Sequence, residues 1–354
     1  MVQKKNSVIL TVRSYRYTSP VYKVSTITRI SPSACYNISI QTEDTLPNKH
    51  LEHLEDLIFS GRKEALDAAW SALNKPELSV KWDGAPAIVF GTNPANGKFF
   101  VGTKSVFNKH KIKICYDQTD IDELYSGNLA DILRLCLWKL PRISGIVQAD
   151  FIGVGGGSVY RPNTLEYRLP SPILSDIILA PHTSYTEVSP TAVGSIRHDL
   201  PSTLSDCYFL GKKEADASVA KTPFFNWVKF LSRLPRCKVP SEKVRPYIQK
   251  HINQYFRSDL PIPSPEFLYI TLPDKYKYEV NITTFKVWHM LFQLKQNLLK
   301  NIVVDGTVKC YIDGQPSEHE GFVTVSDSPY KIVDRLTFSK ANFNLSKNWT
   351  NEKI

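Results

Sequence analysis

Lys81 sits inside an apolar run, with Leu78-Ser79-Val80 before it and, past Trp82-Asp83-Gly84, Ala85 to Phe90 after it. A run of this composition reads as strand, and a strand in a large chain buries at least one face. A lysine there must either snorkel from an edge or accept burial, and burial lowers its pKa toward a neutral, nucleophilic amine. Asp83-Gly84 supplies the residue types of a tight turn. Beyond it, Ala87 to Phe90 is predicted as a second strand, Asn93 to Lys98 as a loop around Gly97, and Phe99 to Thr103 as a third strand. A meander of these strands brings Lys104 back toward Lys81, and two lysines at one place suit a polyphosphate.

The chain separates into five stretches. Residues 1–45 are rich in Ser, Thr, Tyr and Arg and are predicted as short strands or an arm without chemistry. Leu51, Leu54, Leu57 and Ile58, then Leu66, Ala69, Trp70 and Leu73, follow helical spacing broken at Gly61, so two helices with a core-facing stripe are expected. A further helix is predicted over 129–140, a buried strand over 145–153 interrupted by Asp150, and a strand over 163–169. Residues 191–300 carry spaced prolines, helical patterns near 224–234, 242–256 and 284–299, and many cations, among them Lys229, Arg233, Lys243 and Arg245. They are predicted as a basic helical insertion between the two parts of a core domain, 46–190 and 301–340. Two strands close that domain, over 320–325 and 330–334, before a tail at 341–354.

Composition bounds the partners. The chain has 354 residues and a formal charge of +10, a field that attracts polyanions such as nucleotides and nucleic acids. Its six cysteines are scattered, with no paired spacing and no histidine cluster, which argues against a zinc site or a disulfide framework. No stretch reaches the roughly 20 apolar residues of a membrane span, and the first residues lack the pattern of a secretory signal. A cytoplasmic protein without a membrane partner is expected.

In order, the chain offers Lys81-x-Asp83-Gly84, Lys104, Asp150 in a strand, Glu320-Gly321-Phe322-Val323 and Lys331. This set resembles the covalent nucleotidyltransferase superfamily of ATP-dependent RNA and DNA ligases and capping enzymes, over most of residues 78–335. Val80 to Ala87, Phe99 to Lys104, Arg161-Pro162-Asn163-Thr164 and Lys331 to Arg335 are more closely similar to ligase-like proteins of large tailed bacteriophages, which would put the protein in the host cytoplasm. The resemblance implies an α+β, ATP-grasp-like adenylation fold of antiparallel sheets flanked by helices, here with the helical insertion and no C-terminal OB-fold. It implies that Lys81 attacks the α-phosphate of ATP, that Asp83, Gly84, Lys104, Asp150, Glu320 and Lys331 hold the nucleotide, and that Glu320 and Asp150 face Mg2+. Asp83 is expected to fix the loop and orient Lys81 rather than to bind metal.

The sequence departs from the family pattern at three points. Pro86 stands where many DNA ligases and capping enzymes have Arg, which favours the RNA-ligase branch. Asp150 stands where relatives usually carry Glu. Val333 stands where a second closing lysine is usual, with Arg335 or Lys340 as the expected substitutes. The reading is a polynucleotide ligase joining 5′-phosphate to 3′-hydroxyl ends, with RNA favoured over DNA. The alternatives are a DNA ligase, a GTP-dependent capping nucleotidyltransferase, and an inactive phage accessory protein that binds nucleotide or nucleic acid.

Overall fold

The computed structural model describes residues 51–196, 200, 206–258 and 261–338. The arm expected over 1–45, the tail over 341–354, Cys35 and Lys340 lie outside the described residues. A 3-10 turn at Leu54–Asp56 leads into α1 (Leu57–Ser60) and α2 (Arg62–Leu73), the helix pair expected from the leucine spacing. There follow β1 (Leu78–Lys81), β2 (Ala87–Thr92), β3 (Phe99–Gly102), α3 (Gln118–Leu124), α4 (Gly127–Lys139), β4 (Ile146–Val154), β5 (Val159–Tyr160), β6 (Glu166–Arg168) and β7 (Ile177–Tyr185). Next come β8 (Ser195–Ile196), β9 (Cys207–Phe209), β10 (Ala215–Val219), α5 (Trp227–Arg233), α6 (Arg245–Arg257), α7 (Pro265–Thr271), α8 (Asp274–Lys277) and α9 (Ile282–Leu299). The last strands are β11 (Ile302–Gly306), β12 (Lys309–Ile312), β13 (Gln315–Ser317), β14 (Gly321–Thr324) and β15 (Lys331–Val333).

The class is α+β, with sheets paired antiparallel except where β9 runs parallel to β7. A six-stranded sheet has the order β3-β2-β4-β7-β8 with β9 beside β7, and a three-stranded sheet has the order β1-β14-β15. Smaller sheets join β13-β12-β6-β5 and β10-β11. The meander expected from the sequence is therefore corrected: β1 pairs with β14, and only β2 and β3 form a hairpin. The turn after Lys81 carries the chain from one sheet to the other, because Ala85 N–H donates to the Phe151 carbonyl at 3.0 Å and Phe151 N–H to the Pro86 carbonyl at 3.0 Å.

β1 alternates, with Leu78 and Val80 buried and Ser79 and Lys81 partly exposed. The period of two puts Lys81 on the face away from the core. On the core side, Leu54, Ile58, Phe59 and the alanines of α2 pack with Phe230, Ile248, Phe256, Phe285, Trp288 and Leu291 in one cluster. The stretch expected as a helical insertion thus begins with strands β8 to β10, and its helices share the core of α1 and α2. α9 has buried residues spread from Thr284 to Leu298, with Gln293 exposed, which is what a helix apolar on more than one side gives. Trp70 departs from the expected core stripe and is 60% exposed. Among the described residues no helix is long and apolar enough to cross a membrane, and the five described cysteines are buried and free.

Candidate active site

The pairing of β1 with β14 sets Lys81 opposite Gly321, so Glu320 lies one residue before the start of β14 and its carboxylate forms a close ion pair with the Lys81 ammonium. β15 sets Lys331 opposite Val323 on the same sheet. Gly321 is needed there, since a Cβ would come within 2.5 Å of the Ile332 carbonyl oxygen and 2.7 Å of Val333 Cα. Two residues separated widely along the chain from Lys81 are thereby fixed by one short antiparallel register.

From the other sheet, Asp150 sits in mid-β4 opposite Ala87 and Ala180. The Lys81 turn lies directly on this strand, because a Cβ on Gly84 would stand 2.8 Å from Asp150 Cβ and 2.9 Å from the Phe151 carbonyl oxygen. Only glycine permits that approach. Lys104 opens the 3-10 turn Lys104–Phe107 that follows β3 and lies within the field of Asp150.

Asp83 is buried and accepts three hydrogen bonds, from Asn163 Nδ2 at 2.8 Å, Thr164 N–H at 3.1 Å and Leu165 N–H at 3.3 Å. Its own N–H donates to the Tyr167 hydroxyl at 2.5 Å. The expectation that Asp83 fixes the loop rests here on explicit partners, two of them inside the Arg161-Pro162-Asn163-Thr164 phrase. Trp82 completes the floor, edge-on to Tyr167 and His319 with ring centroids 5.3 Å from each.

The charges of the cluster act on one another. Burial is the largest single influence and disfavours the Lys81 cation, but Glu320, Asp150 and Asp83 together outweigh it, so the Lys81 pKa lies above the ordinary lysine value. This corrects the expectation of a neutral amine in the ligand-free chain: three carboxylates hold the proton on nitrogen. Lys331 goes the other way, pushed down to about 8 by burial and by the neighbouring Lys81 and Lys104 charges. Burial also lowers Lys104. A buried lysine with two cationic neighbours, as Lys331 is, gains from an anion beside it.

Arg335 is corrected as a substitute for the second closing lysine. It is 3% exposed and bonds Glu55 at 2.8 Å, Asp56 at 3.0 Å and Asn253, while Lys295 pairs with Glu55 at 2.5 Å and Trp288 Nε1 with Asp56 at 2.8 Å. These side chains tie α9 to the Leu54–Asp56 turn beneath the site, and Val333 is buried.

The structure also brings in residues that spacing does not single out. Glu52 accepts the Lys331 N–H on its backbone carbonyl at 2.8 Å, and its carboxylate, pushed up by burial and then by Asp56, takes a 2.6 Å bond from Gln249. His182 Nε2 stands 3.6 Å from Asp150 Oδ1. Tyr185 belongs to the core, where it is buried and donates to Gln148 at 3.0 Å. None of these carries a motif of its own, because each acts through strands far away in sequence.

Asp150 and Glu320 are the acids expected to face a metal. Among the described residues no three His, Cys, Asp or Glu side chains gather as metal ligands. Mg2+ held on phosphates needs only one or two carboxylates and fills its shell with water and phosphate oxygens, and both acids act on Lys81, so oxygen donors of the type that ion takes flank the lysine.

Residues 48–347 match the model of a family of unknown function, DUF6267. The chain belongs to that family. The match spans the whole cluster, from Glu52 to Arg335. No curated protein and no solved structure matches the chain.

Proposed function

We propose that the chain is an ATP-dependent polynucleotide ligase of the covalent nucleotidyltransferase type, with an ATP-grasp-like adenylation fold and with RNA ends favoured over DNA. The observation that carries the reading is the gathering of Lys81, Asp83, Lys104, Asp150, Glu320 and Lys331 at the junction of two sheets, where Lys81 pairs with Glu320, Lys331 stands on the same three-stranded sheet and Gly84 lies against Asp150. Structural ion pairs also occur in protein interiors, but three lysines crowded at one junction fit a triphosphate better than they fit a stability device.

In the proposed reaction Lys81 first passes its proton to the Glu320 carboxylate with which it is paired. Its Nζ then attacks the α-phosphorus of ATP, a P–N bond forms, the α–β P–O bond breaks, and pyrophosphate leaves with the electron pair. Lys104 and Lys331 neutralise the charge that spreads over the phosphates. Mg2+ would supply further positive charge on the phosphate oxygens, facing Glu320 and Asp150. Asp83, clamped from the segment 163–167, keeps the turn and hence Lys81 in place. A 5′-phosphate oxygen of the polynucleotide then attacks the same phosphorus and frees the lysine, and a 3′-hydroxyl displaces AMP to close the strand.

The test is incubation of the full chain with ATP labelled at the α-phosphate. A label on protein that is lost in acid and kept in alkali, and absent from Lys81→Ala, is expected. A chain that takes no label, or a label that persists in Lys81→Ala, excludes the covalent mechanism.

A second reading, a phage accessory protein that binds nucleotide without turnover, is favoured by two observations. Lys81 is held as a cation by Glu320, and the closing strand offers buried Val333 and a committed Arg335 where a second phosphate-binding cation is usual. Nucleotide binding without pyrophosphate release would decide for it.

A further inference from the structure

The end of α2 and the segment that enters α5 form an exposed surface that the adenylation chemistry does not use. Trp70 is 60% exposed, Phe224 83% and Val228 80%. The rings of Trp70 and Trp227 lie 5.9 Å apart and Phe225 packs on Trp227 at 5.8 Å, so these three are contiguous, with exposed Phe224 next to Phe225 in the chain. Lysines rim it. Lys75 Nζ bonds the Ala220 carbonyl at 3.0 Å, which puts its charge beside Lys221, and Lys229 lies in the first turn of α5. Lys75, Lys221 and Lys229 are exposed and make no ion pair with a described residue. The nearest acid on the helix, Asp67, is already neutralised by Lys63 at 2.5 Å.

We propose that this face docks a single-stranded polynucleotide, with bases stacking on Trp70 and Phe224 and phosphates meeting Lys75, Lys221 and Lys229. Exposed aromatics alone would suit an apolar protein surface. Interleaved with unpaired lysines on a chain of net charge +10, they suit a polyanion that presents flat π-faces, which is the pattern of sequence-tolerant single-strand binding. A duplex hides those faces and is disfavoured. The proposal rests on the polynucleotide-joining reading, for which it supplies a grip on the strand outside the adenylation site.

The experiment measures binding of a fluorescent single-stranded RNA oligonucleotide to the full chain by anisotropy across a salt series, alongside lysyl-AMP labelling and thermal unfolding. The double substitution Trp70→Ala with Phe224→Ala is expected to weaken binding about tenfold or more. Lys221→Glu with Lys229→Glu is expected to flatten the slope of log affinity against log salt by about 0.7 for each phosphate no longer neutralised. Both variants should unfold at the parent temperature and keep the label. If the variants bind as tightly as the parent, or the parent binds no RNA, the docking proposal is overturned. If RNA binding responds as expected while Lys81 takes no label, the docking surface stands and the ligase reading falls.

Discussion

At the scale of single residues, Asp83 is the most constrained acid of the site. Asp83→Asn replaces an acceptor-only group by one that presents NH2 toward at least one of three donors. Unsatisfied buried polar groups cost about 1–3 kcal/mol, and a loss of that size is expected in denaturant unfolding, with the turn loosened around Lys81. Lys331 yields a prediction in pH. Its folded pKa near 8 lies below the unfolded lysine value of about 10.4, so the folded chain holds that proton less well than the unfolded one. The penalty is complete below pH 8 and fades as pH rises from 8 through the unfolded value. Lys331→Met should therefore stabilise the chain at pH 7 and lose that advantage toward pH 10, which thermal unfolding at the two pH values would show. The identity of these residues is legible in the order of the motifs. The ionisation of Lys81 is not, because the partner that sets it, Glu320, lies 239 positions away.

At the scale of elements, the short strands β1, β14 and β15 hold the site, and the buried group of Glu55, Asp56, Lys295 and Arg335 holds the helices under it. Arg335→Met removes one cation from a group that faces two carboxylates at nearly full burial. Breaking a buried pair by removing one partner costs about 3–5 kcal/mol. The loss should show in urea unfolding at pH 7 and shrink in acid, where the stranded carboxylates take up protons; equal losses at both pH values would contradict this role. Several elements are readable from period and punctuation, including α2, α4, β4 and α9. β7 is not: Pro181 and His182 fall in mid-strand beside a register shift, so the run lacks the pattern of a central strand although it occupies the middle of the six-stranded sheet. Tyr167 is equally silent, and the Arg161 to Thr164 phrase shows itself only through the resemblance, since a clamp on a distant aspartate leaves no local signal. Trp70 misleads in the opposite sense, because helical spacing places it on the buried stripe whereas packing leaves it in solvent.

At the scale of the molecule, two sheets meet where the Lys81 turn crosses between them, and the helices around α9 close the core behind. The charged cluster at that junction is what the family membership alone does not explain. Its proposed purpose is a covalent bond from one particular lysine to a nucleotide. The most direct measurement is peptide mapping by mass spectrometry after incubation with ATP and Mg2+, in the parent chain and in Lys81→Arg, which keeps the charge but not the nucleophile. The account predicts a single adenylyl group on the peptide that contains Lys81 and none anywhere in the variant; adenylyl found on Lys104 or Lys331, or on no lysine at all, would contradict it.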